Sequence, residues 1–344
     1  MDEQYWSPDH PVLGVLRARR SRQDRTGSRG DQHKVGLAIQ GGGMRGILSG
    51  AMLTALEDMG FRFSFDAVYG SSSGALNGAY FFGGDSWRHL PIYWDDLTTR
   101  RFIDFRRVLS GNVVDLAYAF DTVVDRLRPL DYDAVLGSSV PLHVAMTLVD
   151  ELRTLTVSAF TSKDDLRSAL RASAWLPVAV RGTTEFHGKR VIDGAILTVH
   201  PYRLALADGC THILSLSTRA HRSTRIVPAL TQLVTSWHLD RLRAGLGSAH
   251  ARSVRDYRQD HLRLAAASRS SPNAPHILDI APLPWMTRIR PLELSPGRLI
   301  LAARAAYELM VCAVEQGDAT ALRSGDFRAI PRFTRVEGAS VHGR

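Results

Sequence analysis

The chain has 344 residues, of which 44% are apolar and 22% are charged. These fractions are typical of a globular protein with a full core, and they exclude a largely disordered chain. No apolar run approaches the roughly 18 residues that span a bilayer, and the N-terminus lacks an apolar signal segment. Two cysteines, Cys210 and Cys312, are too few for a disulfide scaffold or a structural zinc site, and they fit a reducing compartment.

The charge is strongly basic, with 43 lysines and arginines against 34 acidic residues and a net charge of +9. Nearly all of these cations are arginine, as a GC-rich genome would encode. A basic surface also favours contact with anionic lipid or nucleic acid. Since no nucleic-acid-binding motif is recognisable, we expect no nucleic-acid partner.

Three segments follow from the distribution of polar and apolar residues. Residues 1–33 are predicted to be a basic, mostly disordered extension, with a tether to an anionic surface as the alternative. Residues 34–320 are predicted to form one folded domain, and residues 321–344 a loose tail. We find no internal repeat.

The first elements alternate between strand and helix. Val35–Ile39 is an apolar run that stops at a glycine cluster, which indicates a buried strand. Apolar residues over 47–56 recur at helical spacing. Residues 65–69 form a second short strand, and 73–82 read as a helix rich in small residues. Two strand–glycine–helix units within fifty residues predict a parallel α/β sheet.

Later elements are predicted with less detail. Residues 85–136 mix aromatic side chains with arginines, which fits helices covering the sheet or, alternatively, a lid at an anionic interface. The remaining predictions are strands over 142–149, 152–160, 186–192, 213–217 and 277–280, and helices over 165–174, 226–266 and 296–316.

The first motif that carries chemistry is Gly41-Gly42-Gly43-Met44-Arg45-Gly46. It follows a strand and opens a helix, so its glycines can turn sharply and present backbone N–H groups to an anion. Such donors hold a phosphate or the oxyanion of an acyl-transfer intermediate. The motif also matches a dinucleotide-binding glycine pattern. The dinucleotide-binding fold needs an acidic residue at the end of the second strand, whereas Asp66 stands at its beginning. This position argues against a dinucleotide site.

The second motif is Gly70-Ser71-Ser72-Ser73-Gly74. A serine between a strand and a helix is exposed at a sharp turn, and Gly70 and Gly74 remove Cβ atoms that would collide there. Ser72 is therefore a candidate nucleophile, and a serine cap at a helix start is the plainer alternative.

A nucleophilic serine needs a base. None of the later histidines lies in a distinctive loop after a clear strand. Asp193-Gly194-Ala195 ends an extended segment at a turn, and a buried carboxylate can serve as base when desolvation raises its pKa. An ordinary Asp-Gly turn is the alternative.

Together the glycine loop, the serine turn and the Asp-Gly-Ala triplet, in this order, resemble the patatin-like phospholipase family of lipid acyl hydrolases. The segment Ala169-Leu170-Arg171-Ala172-Ser173-Ala174-Trp175-Leu176-Pro177 also resembles the helix that precedes the family's aspartate. The resemblance covers residues 34–220 well and extends more weakly to about 316. It implies a three-layer α/β/α sandwich with a mostly parallel central sheet, and it makes 34–320 the catalytic domain.

By the same resemblance, Ser72 is the nucleophile, Asp193 the base, and the N–H groups around Gly42, Gly43 and Met44 the oxyanion hole. Arg45 would orient this loop or approach an anionic headgroup. The resemblance implies a serine esterase that acts on lipid or other acyl-ester substrates, without cofactor or metal. An acyltransferase or a non-catalytic lipid-binding relative are the alternatives.

The chain departs from the family at His200-Pro201, where members often have Asn-Pro. An auxiliary proton-transfer role for His187 or His200 stays open, although polar loop positions are the simpler interpretation. We expect a cytoplasmic protein, with peripheral contact with an anionic membrane as an option. The sequence leaves the oligomeric state open.

Overall fold

The computed structural model describes residues 4–23, 29–221, 229–315 and 317–324. Eight strands form one sheet: β1 (Val35–Ile39), β2 (Ala67–Ser71), β3 (Leu142–Leu148), β4 (Arg153–Val157), β5 (Thr184–Phe186), β6 (Lys189–Asp193), β7 (His212–Leu216) and β8 (His276–Ile280). The described helices are α1 (Pro11–Arg22), α2 (Gly46–Asp58), α3 (Ser73–Gly83), α4 (Ser86–His89), α5 (Tyr132–Leu136), α6 (Lys163–Ser173), α7 (Tyr202–Ala207), α8 (Ala229–Asp240), α9 (Leu246–Arg269), α10 (Pro296–Val314) and α11 (Ala319–Ser324).

The sheet is mixed and mostly parallel, and helices cover both of its faces. Its order is β5-β6-β3-β2-β1-β7-β8, with β4 paired to β3. Strands β3, β2, β1, β7 and β8 run parallel, while β4 and β6 run antiparallel to β3. The predicted α/β/α architecture is therefore confirmed.

The residues of β1 show why this strand lies at the centre. All five are buried, because both faces of a parallel sheet are covered by helices. Val35, Leu37 and Ile39 pack in the large core that includes α2, α3 and α10. Ala38 faces the other side and packs with Tyr202 of α7. The two-residue period of a strand thus divides one apolar run between two cores.

Strand β3 sets the position of the functional residues. Ser71, the last residue of β2, pairs with Ala145 of β3. Asp193, the last residue of β6, pairs with the next residue, Met146. Because β4 occupies the opposite edge of β3, β2 and β6 follow one another along a single edge. The ends of two strands that are distant in sequence therefore meet.

The predicted disorder of residues 1–33 is wrong for the part that the structure describes. Helix α1 buries Val12, Leu13 and Leu16. Arg19 is 1% exposed and forms ion pairs of 2.8 Å with both Asp31 and Asp66. The described arginines of this segment thus bond within the domain, and the alternative of a tether to an anionic surface stays a prediction. Asp66 is a structural partner of α1.

Other predictions need smaller corrections. The helix predicted over 226–266 is interrupted: its described part forms α8 and α9, with a turn at Gly245, and 222–228 lie outside the described residues. Between 85 and 136, Tyr93, Trp94 and Phe102 are core residues, so the covering interpretation holds for them. The predicted tail begins as helix α11, and 325–344 lie outside the described residues. No helix in the described ranges has the length and apolarity needed to cross a membrane.

Candidate active site

The turn between β2 and α3 holds Ser72 in an unusual backbone conformation. Its φ of 55° and ψ of −135° are rare for a residue with a side chain. The glycines on either side allow this turn. A Cβ on Gly74 would lie 2.3 Å from the Ile39 carbonyl oxygen, and one on Gly70 would lie 2.6 Å from the Ala75 Cα. Ser72 itself is 8% exposed, so its hydroxyl lies in a narrow site.

Ser173 at the end of α6 connects this turn to β3. The Ser72 N–H donates to the Ser173 Oγ at 2.9 Å, and the Ser173 hydroxyl donates to the Ala145 carbonyl at 2.7 Å. Ser173 is fully buried. The sequence alone predicts no role for this hydroxyl. Its only signal is a serine on an otherwise apolar helix face.

Asp193 lies beside Ser72 and is 2% exposed. Its Oδ1 accepts the Ala195 N–H at 2.8 Å, and the Ser72 side chain lies beside its carboxylate. Burial raises the pKa of Asp193 to about 6, against the lowering effect of the Ala195 N–H and the Ser72 side chain. Gly194 is needed for close packing, because a Cβ there would lie 2.2 Å from the Ala145 carbonyl oxygen.

The glycine loop packs against the serine turn. A Cβ on Gly41 would lie 2.3 Å from the Ser71 carbonyl oxygen and 3.0 Å from the Ser72 Cβ. Gly42 and Gly43 have φ values of 144° and 61°, which favour glycine. At the end of the loop, a Cβ on Gly46 would lie 2.6 Å from the Ser73 Oγ. The loop therefore follows the turn at backbone contact distance.

The N–H groups of the loop are not equally available. The Met44 N–H donates to the Pro291 carbonyl at 2.9 Å, and the Gly42 N–H donates to the Ser73 Oγ at 3.1 Å. Within the described residues, the N–H groups of Gly43 and Ser73 make no hydrogen bond. Of the three donors expected from the sequence, this leaves Gly43, because the segment at Pro291 and the Ser73 side chain occupy the other two.

Two arginines flank the loop. The Nε atoms of Arg45 and Arg219 are buried and find no hydrogen-bond partner in the described chain. Burial, and secondarily the charge of Arg219, lower the pKa of Arg45 to about 9, so Arg45 is still protonated at neutral pH. Arg219 directly follows Thr218, whose hydroxyl donates to the Gly41 carbonyl at 2.9 Å. Arg219 belongs to none of the motifs recognisable in the sequence.

The two histidines near Asp193 in sequence have other partners. His187 is largely exposed and pairs with Asp165 at 2.8 Å. His200 is buried, and its Nε2 lies 3.0 Å from the Ser217 Oγ and 3.6 Å from Asp279. A catalytic triad places serine and aspartate on opposite nitrogens of the imidazole, whereas here both lie at Nε2. This second serine–histidine–aspartate group has the geometry of a buried polar network.

The described chain contains no group of three or more histidine, cysteine or acidic side chains placed to hold a metal ion. The site itself offers a serine hydroxyl, a buried carboxylate and the N–H groups of Gly43 and Ser73, which are free within the described residues.

An α/β sheet with a serine at a strand–helix turn, a carboxylate beside it and a glycine loop against both is an arrangement typical of serine acyl hydrolases. Residues 37–206, about half of the chain, match the family model described as patatin-like phospholipase. The chain belongs to the patatin-like phospholipase family, and membership implies a lipid acyl hydrolase.

The chain is similar to VipD from Legionella pneumophila, with 13% identity over 83% of this chain and 67% of that one, at a TM-score of 0.44. No curated protein matches the chain significantly.

Proposed function

We propose that the protein is a lipid acyl hydrolase in which Ser72 and Asp193 act as a catalytic dyad. The observation that carries this proposal is the position of Ser72, at a strained turn, beside a buried carboxylate whose pKa is raised to about 6. Such a carboxylate is ionised at neutral pH, and it is basic enough to hold a proton during the reaction.

In the first half of the reaction, Asp193 takes the proton of the Ser72 hydroxyl while the Ser72 oxygen attacks the ester carbonyl. The tetrahedral intermediate collapses to an acyl-serine, and the leaving alkoxide takes the proton from Asp193. In the second half, Asp193 removes a proton from water, whose oxygen attacks the acyl-serine. The fatty acid leaves as Ser72 regains its proton.

The negative charge on the carbonyl oxygen needs donors at the site. The N–H groups of Gly43 and Ser73 are our candidates, because the Gly42 and Met44 groups have other acceptors. Ser73 follows the nucleophile and begins α3, where backbone N–H groups lack intrahelical partners. The positive charges of Arg45 and Arg219 favour an ester that carries an anionic group, such as a phospholipid.

Covalent labelling tests this proposal. Wild type, Ser72→Ala and Asp193→Asn would be incubated with a fluorophosphonate, and the adduct located by mass spectrometry. Ser217→Ala serves as comparison, since it removes the hydroxyl of the second serine–histidine–aspartate group. We expect an adduct on Ser72 that is absent from Ser72→Ala, slowed in Asp193→Asn and retained in Ser217→Ala.

Turnover of p-nitrophenyl esters by the same proteins completes the experiment. Loss of hydrolysis in Ser72→Ala and Asp193→Asn supports the dyad, while an adduct on any other residue contradicts it. Added alcohol or amine acceptors reveal acyl transfer, because the acyl group then appears on the acceptor in place of free acid.

A further inference from the structure

Exposed apolar side chains concentrate on one part of the molecular surface. Eight of the fourteen well-exposed large apolar residues of the described chain belong to α8, to the segment Phe105–Ser110 or to the turn after α6. Isolated apolar residues are common on protein surfaces, whereas a cluster usually marks a contact surface.

Helix α8 contributes half of this set. Leu230, Leu233, Val234 and Trp237 are 71%, 68%, 55% and 58% exposed. Their spacing of three and four residues places them on one face of the helix. Leu239, by contrast, is fully buried, so α8 packs on the domain by another face. An apolar helix face with a tryptophan is thus presented to solvent.

The other two segments lie next to α8. His238 Nε2 is 2.9 Å from the Pro177 carbonyl oxygen, and Val178 beside it is 49% exposed. The next residue, Ala179, accepts the Val114 N–H at 3.0 Å, and the neighbouring Val113 carbonyl accepts the N–H of Asp104, which directly precedes Phe105. Leu109 of that segment is 98% exposed. We call these exposed side chains of α8, Phe105–Ser110 and Val178 the apolar rim.

The apolar rim adjoins the candidate active site. The carbonyl of Trp175, three residues before Val178, accepts the Asp193 N–H at 2.9 Å. Ser173, at the end of the same helix, bonds to Ser72. Helix α8 also follows β7, whose carboxyl end lies beside the glycine loop. The rim therefore lies at the edge of the sheet where the proposed dyad is found.

Positive charge accompanies the rim. Arg106, Arg181, Arg241 and Arg243 are exposed on the same segments or directly beside them. Because Asp104 pairs with Arg106, the excess positive charge is carried by Arg181, Arg241 and Arg243. Asp240 at the end of α8 accepts the N–H groups of Gly245 and Gly247. The surface therefore combines apolar side chains with an excess of arginine.

We infer that the apolar rim docks on an anionic lipid bilayer and presents the dyad to ester bonds at its surface. Amphipathic surfaces with a tryptophan and flanking arginines bind membrane interfaces, because apolar groups enter the acyl boundary while cations meet the headgroups. This inference rests on the proposed function, and it assigns to α8 the role of main anchor.

Vesicle sedimentation tests the inference. Full-length wild type and the double variant Leu233→Gln/Trp237→Gln would be mixed with vesicles of phosphatidylglycerol and phosphatidylcholine at 3:7, or of phosphatidylcholine alone. Leu262→Gln is the matched control, since Leu262 is 72% exposed on α9 outside the rim. We expect the double variant to bind at least about tenfold more weakly, and the control to bind as wild type does.

The charge component has its own pair of variants. Arg181→Gln/Arg241→Gln should weaken binding to the anionic vesicles by about fivefold per arginine. Arg255→Gln/Arg258→Gln on the exposed side of α9 should not weaken it. Circular dichroism melting of each variant confirms that it is folded.

Two outcomes overturn the inference. One is vesicle binding by Leu233→Gln/Trp237→Gln that equals wild type. The other is a concentration-dependent dimer that this variant dissociates, without vesicle binding, since a second copy would then cover the rim. Hydrolysis of soluble p-nitrophenyl butyrate separates the two proposals: its absence in a wild type that binds vesicles rejects the dyad and leaves the docking surface standing.

Discussion

At the scale of single residues, Asp193 is suited to catalysis at the expense of stability. Its carboxylate is buried, and burial raises its pKa from 3.8 to about 6. The folded state therefore favours the protonated carboxyl. Below a pH of about 3.8 no penalty arises. The penalty grows as the pH rises from 3.8 to about 6, and above that pH it is fully present.

The Asp193→Asn variant should therefore be inactive but more stable than wild type at pH 7.5, by up to about 3 kcal/mol. The asparagine carbonyl can keep the bond from the Ala195 N–H, while the buried charge is removed. Urea unfolding at pH 7.5 and at pH 4 measures this, and the difference should shrink at pH 4. A variant less stable than wild type at both values would contradict the assignment.

The same titration should govern the reaction rate. Because the base must be ionised, kcat/KM for a soluble ester should fall about tenfold per pH unit below a pH of about 6. A pH–rate profile with p-nitrophenyl butyrate between pH 4.5 and 8 checks this. A rate that stays constant down to pH 5 would exclude Asp193 as the base.

Ser173 is a positioning residue, because it bonds to the Ser72 backbone and not to the reacting hydroxyl. Ser173→Ala frees the Ser72 N–H and the Ala145 carbonyl, so the turn should shift and kcat should fall about 10- to 100-fold. The measurement is the fluorophosphonate labelling rate of folded protein, with Ser168→Ala on the exposed side of α6 as control. Lower thermal stability with an unchanged labelling rate would indicate a structural role alone.

At the scale of elements, predictions from the sequence are most accurate where a residue pattern is compatible with few structures. Val35–Ile39 was predicted with its observed bounds, because an apolar run ended by glycines has few alternatives. The start of α3 was predicted correctly for the same reason. Strands β5 and β6 form a hairpin, whereas the sequence predicts one extended segment. The reason is that the tight turn at His187-Gly188 gives only a weak signal.

Helix α1 was missed because composition outweighed periodicity. Its arginines suggested a solvated segment, yet the partners of Arg19 lie 12 and 47 residues along the chain, and no local pattern shows them. The apolar residues Val12, Leu13 and Leu16 are helically spaced, but the window is short. Tertiary contacts decided the structure of this element.

If α1 is part of the domain, its core residues should contribute to stability. Leu16 is 1% exposed, so Leu16→Ala should lower the free energy of unfolding by about 2–4 kcal/mol. Leu262→Ala, at a position 72% exposed, should change it by less than about 0.5 kcal/mol. Chemical unfolding of both variants decides the matter, and equal small effects would mean that α1 is not docked in solution.

At the scale of the whole molecule, the sequence shows the motifs, but it does not show that they lie close together in the fold. Ser72 and Asp193 come together because β2 and β6 share one edge of β3. Strand order and register depend on contacts that no local pattern encodes. Only the family resemblance predicted that Ser72 and Asp193 act together. The resemblance did not predict the hydrogen bonds of Ser173, the position of Arg219 or the exposed face of α8. These features depend on how this chain packs.

The net charge of +9 belongs to the molecule as a whole and should act on encounter with anionic substrate. Hydrolysis of anionic vesicles should slow severalfold between 50 and 500 mM NaCl, because salt screens the attraction. Hydrolysis of the uncharged ester p-nitrophenyl butyrate should stay constant. An equal decline for both substrates would place the salt effect on the catalytic step itself.

The place of β1 in the sheet has a consequence for how the protein is made. Strand β1 is the first strand to leave the ribosome, and its two neighbours are β2 and β7. One of its edges stays unpaired until residue 216 has been synthesised. The glycine loop cannot reach its final position earlier, because Thr218 forms hydrogen bonds with Gln40 and Gly41. Nascent chains that end between residues 193 and 216 therefore contain both Ser72 and Asp193 but lack a finished site.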